Sequence, residues 1–160
     1  MTIRPATPAD AAAVAAIWNH YIRDTAVTFN SAEKSPTEVA DLIASRPAFL
    51  VAAGADGAVL GFATYSRFRG GVGYAQTMEH TILLAPGASG RGLGRGLLTA
   101  VEDHARAGGA HSLFAGVSGE NPEGRAFHAA MGYAVAAILP QVGRKFGRWM
   151  DLVLMQKFLS

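Results

Sequence analysis

Apolar positions along the chain follow two rhythms, one of about 3.6 residues and one of two, separated by glycine, proline and short polar stretches. Val14, Ile17, Trp18, Tyr21 and Ile22 recur at helical spacing behind Thr7, Pro8 and Asp10, a helix start with proline at its first position. That helix is expected to end near Asp24. Thr25 to Phe29 is a β-prone insert before a polar loop, and Ser35-Pro36-Thr37-Glu38 forms a capping box for a helix through Val39, Leu42 and Ile43, closed by Pro47.

Alternating or continuous apolar runs supply the strands. Thr2 to Arg4 is a short one, and Phe49 to Ala53 and Val59 to Ser66 flank Asp56-Gly57, a hairpin dipeptide, so they should pair antiparallel. Arg67 to Gly73 is a glycine-rich loop leading to a strand over Gln76 to Leu84. A helix from Gly92 to about Arg106 ends at Gly108-Gly109, and Leu113 to Val117 forms the next strand, with a parallel crossover implied between them. Asn121 can cap a helix that begins at Pro122 and runs to Met131. Tyr133 to Leu139 and Trp149 to Leu154 are the last strands, joined by a basic loop at Val142 to Arg148.

Composition narrows the class. At 160 residues the chain is expected to be one domain over 1–160, and half of it is apolar, which rules out a disordered tail. No cysteine is present, so disulfides, thiolate metal sites and a cysteine nucleophile are excluded together. A net charge of +2 is too small to imply nucleic acid. Ala11 to Trp18 is apolar but follows Asp10 and lacks a basic flank, so it reads as a buried helix face rather than a targeting segment. Of His20, His80, His104 and His111 only His20 has a carboxylate four residues on, Asp24, which is short of a zinc ligand set, and no metal is expected.

The stretch from Glu79 to Gly96 carries the chemistry. An acidic residue precedes the apolar run Thr81 to Leu84, and Gly90-Arg91-Gly92-Leu93-Gly94-Arg95-Gly96 then opens a helix. Unpaired N–H groups and the macrodipole make such a helix start suitable for an anion, and Arg91 and Arg95 sit where cations oppose that dipole. Counting from Gly90 or Gly92 fails the dinucleotide fingerprint, and no Walker Gly-Lys-Ser/Thr exists. An anion site and a flexible helix cap remain the two readings of the loop itself.

Ser89, Gly92 and Gly94 fall on the turn pattern Gln/Arg-x-x-Gly-x-Gly/Ala, with serine departing at the first position. The chain thereby resembles GNAT-type N-acyltransferases. Asn19 to Ile22 with Thr25 to Phe29, Glu79-His80-Thr81, Glu120-Asn121, His128 with Gly132-Tyr133, and Gln141 to Asp151 are similar to the branch of phosphinothricin and methionine sulfoximine/sulfone acetyltransferases. The resemblance implies a single α/β domain, a mixed and mostly antiparallel sheet with helices on both faces. It implies acetyl transfer from acetyl-CoA to the α-amine of a small amino acid or analogue, in a cytoplasmic homodimer without nucleic-acid or membrane partners. Another amine, such as a protein N-terminus or polyamine, or a non-catalytic acyl-CoA-binding module, is the alternative.

Residue roles follow from the resemblance. Ile82, Leu83 and Leu84 are expected to offer backbone groups to the acyl-pantetheine arm, Gly90, Arg91, Gly92, Leu93, Gly94 and Arg95 to hold the pyrophosphate, and Asn121 to contact the arm or merely cap its helix. Glu79 is the candidate base, because an ammonium must lose a proton before it attacks a thioester. His128 is either an acid for the departing thiolate or a packed helix histidine. For the acceptor, Phe29, Phe68, Arg69, Tyr74, Glu79, His80, Thr81 and Lys145 are the candidates. Arg69 lies ten positions before Glu79, and Gly71 stands where phosphinothricin enzymes carry a second cation, which favours a monoanionic acceptor.

Overall fold

The computed structural model describes residues 1–160. In chain order the elements are β1 (Thr2–Pro5), α1 (Ala11–Asp24), α2 (Pro36–Ser45), β2 (Ala48–Ala53), β3 (Val59–Arg67), β4 (Thr77–Leu84), α3 (Leu93–Ala107), β5 (Ser112–Ser118), α4 (Pro122–Ala130), β6 (Ala134–Lys145) and β7 (Arg148–Phe158). The seven strands form one sheet in the order β1-β2-β3-β4-β5-β7-β6. Only β4 and β5 run parallel; every other neighbouring pair is antiparallel. None of the helices is long and apolar enough to cross a membrane.

Strand alternation sends side chains to opposite faces, and each face has its own core. Val14, Ile17, Trp18 and Ile22 of α1 and Val39 of α2 pack on Phe49, Val51, Phe62 and Leu83. On the other face Leu93, Leu97, Leu98 and Val101 of α3 meet Ala63, Leu113, Ala115, Val117, Val153 and Met155. Phe62 and Leu97 are wholly buried, and burying a side chain of that size contributes about 1.5–3 kcal/mol. Ser35 accepts from the Glu38 N–H and Glu38 reaches back to the Ser35 N–H, so the capping box starts α2 as its sequence predicts.

Two expectations fail. Thr25 to Phe29 forms no strand; it is an irregular loop after α1. The basic segment Val142 to Arg148 is not a loop either, because pairing of β6 with β7 continues through Gly143↔Met150 to Lys145↔Arg148. The turn shrinks to Phe146 and Gly147, both at positive φ (53° and 74°), the left-handed pair that suits the twist of a two-residue hairpin. A bulge between Leu139 and Gly143, with Gln141 at φ 52°, breaks the apolar alternation that would have marked the longer strand.

Candidate active site

The site begins with a gap in the sheet. β4 and β5 pair over Thr77↔Ser112 to His80↔Ala115 and then part, so Thr81 to Leu84 keep a neighbour only on the β3 side. Beyond the fork, Gly116 to Ser118 pair only with β7.

Antiparallel pairing fixes which peptide groups face that gap. The Ala85 N–H donates to Leu60 O (2.8 Å) and Thr77 O accepts from the Phe68 N–H (3.0 Å), so odd-numbered residues of β4 turn their peptides toward β3. Even-numbered residues turn theirs toward β5: Gln76 O accepts from His111 N–H (2.8 Å), and Leu84 O accepts from the Tyr21 hydroxyl at 2.6 Å. Ile82 therefore presents both N–H and C=O to the gap, and Leu84 its N–H. Leu83 does not join them. Its peptide belongs to the β3 ladder and its side chain is buried against α1.

The loop after β4 is open. Gly87, Gly90 and Gly92 all have positive φ (81°, 81° and 76°), and a Cβ at any of them would meet nothing within 4 Å. α3 starts at Leu93, and its first intrahelical acceptor is Gly92 O, bonded by the Gly96 N–H at 3.0 Å. The N–H groups of Leu93, Gly94 and Arg95 precede that bond and have no intrahelical partner. Arg91 and Arg95 are exposed beside them. Gly94 also serves packing, since a Cβ there would lie 3.2 Å from the Phe127 ring. A cavity of about 380 Å3 runs from this loop along the gap, lined by Ser89, Gly94, Leu84, Tyr21, Asn121 and Phe127 among others.

A second cavity of about 280 Å3 continues past the fork, walled by Trp18, Phe29, Thr81, Gly116, Ser118 and Leu152 among others. Asn121 lines both. Its Oδ1 accepts from the Gly124 N–H (3.0 Å), capping α4, while its amide NH2 is left for the cavity. Capping and lining are thus compatible roles of one side chain.

Glu79 lies on the α1/α2 face of β4, opposite Ser66 on β3 and Phe114 on β5. Its Oε2 fills the space left by Gly116, 3.0 Å from where a Cβ would stand. Burial raises its pKa, the nearby Arg46 charge pulls it partly back, and no hydrogen bond from the chain holds the carboxylate. Glu79 does not itself line either cavity; it stands behind Gly116, which lines the second, and a carboxylate there with a raised pKa and free lone pairs is suited to take a proton. Phe68, an acceptor candidate, is stacked on Phe114 with ring centroids 4.6 Å apart and lines neither cavity.

His128 and His80 sit on the opposite face. His128 Nδ1 is 2.8 Å from Gly124 O and its Nε2 is 2.9 Å from His80 Nε2. A carbonyl only accepts, so His128 carries its proton on Nδ1, and His80 donates from Nε2. Burial lowers both pKa values and keeps the pair neutral. The only proton of His128 is committed to a backbone carbonyl, so the structure does not hold it ready for a thiolate. His80 likewise borders the cavity with its donor already used.

Three acceptor candidates are placed elsewhere. Lys145 is buried, and its Nζ donates to the carbonyls of Thr25 (2.6 Å), Thr28 (2.7 Å) and Tyr21 (3.3 Å). All its donors are spent on the last turn of α1 and the loop after it, leaving none for a substrate carboxylate. Arg69 is exposed and lies 5.5 Å from the Tyr74 ring centroid, and neither residue lines the cavity. Phe29, by contrast, does line it, seated where Gly143 lacks a side chain. Sequence reasoning passed over Tyr21, Trp18, Lys34 and Arg46. The first two match the helical apolar stripe and look like core; Lys34 sits in a polar loop and Arg46 ahead of Pro47, where cations are ordinarily solvated.

A family model described as acetyltransferase (GNAT) family matches residues 14–133. The chain is 37% identical to the L-amino acid N-acyltransferase MnaT of Escherichia coli, covering 98% of this chain and 92% of that protein. It is 36% identical to an L-methionine sulfoximine/L-methionine sulfone acetyltransferase of Salmonella typhimurium, covering 98% and 93%. Among solved structures, yncA of Salmonella typhimurium with its cofactor acetyl-CoA superposes with a TM-score of 0.95 at 37% identity, over 100% of this chain and 94% of that one.

Proposed function

The chain belongs to the acetyltransferase (GNAT) family, and on that premise we propose that it acetylates the α-amine of a small amino acid or analogue, of the methionine sulfoximine and sulfone kind, with Glu79 as the base. One observation carries the reading: the unpaired Ile82 peptide and the unbonded Glu79 carboxylate lie on either side of the fork where β4 leaves β5.

The residues present suit acetyl-CoA. Ile82 C=O and Leu84 N–H can pair with the amides of its arm as an added strand would. The open glycine turn, the free N–H groups of Leu93 to Arg95, and Arg91 and Arg95 suit its pyrophosphate. When bound, it supplies an acetyl thioester. The chain's part is to hold an amine beside that thioester, accept its proton on Glu79, and offer the Ile82 N–H to the oxygen on which negative charge develops. An amine that arrives as an ammonium is drawn to the same carboxylate.

The homodimer belongs to this proposal as well. β6 is an edge strand, and Ile138, Val142 and Trp149 on the hairpin are more than half exposed, an apolar surface that a second copy would cover. A cytoplasmic location accompanies it, since the acetyl donor is a metabolite of the cell interior. Thiol release from acetyl-CoA across amino acids, sulfoximines, polyamines and peptide N-termini tests the function. Turnover should be confined to small α-amino acids and their analogues. Faster turnover of peptides or polyamines, or acetyl-CoA binding without turnover of any amine, would reject it.

A further inference from the structure

We infer that Lys34 recognises the carboxylate of the acceptor and restricts the enzyme to amino acids with one anionic group. The inference rests on the reading that the acceptor is an amino acid, and it names a residue within that site.

The cavity past the fork is lined by 18 residues, and Lys34 is the one lysine, arginine, aspartate or glutamate among them. Its backbone is fixed on α1: Asn19 Nδ2 donates to Lys34 O (2.8 Å), and the Lys34 N–H donates to Asn19 Oδ1 (2.7 Å). The ammonium then lies 4.7 Å from the centroid of the Trp18 ring, which forms part of the same wall. A cation over an aromatic face is attracted to it yet keeps its N–H donors. No ion pair of the chain includes Lys34.

The rival cations are otherwise engaged. Lys145 is bonded to three carbonyls. Arg46 lies near Glu79 without an ion pair or hydrogen bond to it, Arg69 faces Tyr74 in the solvent, and neither lines the cavity. A zwitterionic acceptor needs an anion for its ammonium and a cation for its carboxylate. Glu79 at the Gly116 edge supplies the first and Lys34 the second, with Phe29, Trp18 and Leu152 as apolar walls for the side chain. One cation in a partly enclosed cavity leaves a second anionic group uncompensated.

The test compares wild type with Lys34→Met and Lys34→Arg, using L-methionine sulfone and its carboxamide at saturating acetyl-CoA. Lys34→Met should raise KM for the sulfone roughly 10- to 100-fold, the range for losing a charge-assisted hydrogen bond, and KM for the carboxamide less than about 3-fold. Lys34→Arg should recover most of that loss, and wild type should favour the sulfone over the dianionic phosphinothricin in kcat/KM. Equal changes for both acceptors, or none for either, would overturn the role of Lys34. If wild type turns over neither, the amino-acid reading fails first, before any Lys34 variant is compared.

Discussion

Replacing Lys145 by methionine separates a structural clamp from a substrate contact. The ammonium donates to Thr25 O, Thr28 O and Tyr21 O at 2.6, 2.7 and 3.3 Å. Hydrogen bonds to a charged group contribute about 1.5–3 kcal/mol each, but this loop borders solvent and water can re-bond part of what is lost. Methionine retains most of the apolar stem, so the net loss should be about 2–4 kcal/mol. With a urea slope of about 2 kcal/mol/M, the unfolding midpoint should fall by roughly 1–2 M with the slope unchanged. The released loop carries Val27, Thr28 and Phe29, which wall the acceptor cavity, so acceptor KM should rise as well. Urea unfolding followed by circular dichroism, beside steady-state kinetics, reads both effects. A midpoint within about 0.3 M of wild type with a large rise in acceptor KM would refute the clamp and return Lys145 to the substrate.

Two further outcomes concern charge. Arg46 lowers the pKa that burial raises at Glu79, so Arg46→Gln should move the ascending limb of the kcat–pH profile to higher pH; a limb that stays in place would show that Arg46 does not act on Glu79. His80 and His128 are held below their ordinary pKa by burial, so below about pH 6.5 the unfolded chain takes up protons that the folded one refuses, and stability falls with pH by up to about 1.4 kcal/mol per unit for each histidine. Glu79, with its raised pKa, opposes this only near its own titration. Denaturant unfolding at pH 7.5 and 5.0 should show the decline, smaller in His80→Gln, and a flat profile would mean that the pair is not buried in the neutral state.

Local signals sufficed for most of the fold. The Ser35–Glu38 box, Asp56-Gly57 and Asn121-Pro122 act over a few residues, so their elements begin or turn where the sequence indicates. The last hairpin was illegible because its length is set by partners: β7 is sandwiched between β5 and β6, and that pairing carries strand through polar residues such as Gln156 and Lys157. Site residues divide similarly. Glu79 and the glycine turn are marked by residue type, whereas the orientation of the Ile82 peptide depends on pairing with β3, and the fates of Lys145 and His128 on carbonyls 117 and 4 residues away in sequence. Cations such as Lys34 and Arg69 look alike in a polar loop; only the placement of that loop against Trp18 distinguishes them.

The most direct measurement of the central claim is a comparison of Glu79→Gln with wild type, using thiol release with the best amino-acid acceptor for turnover and calorimetry for acetyl-CoA affinity. Glutamine keeps the shape beside Gly116 and cannot take a proton. The account predicts kcat lower by about 100- to 10,000-fold with acetyl-CoA affinity changed less than about 3-fold. Turnover within a few-fold of wild type, or an equal loss of turnover and acetyl-CoA affinity, would contradict it.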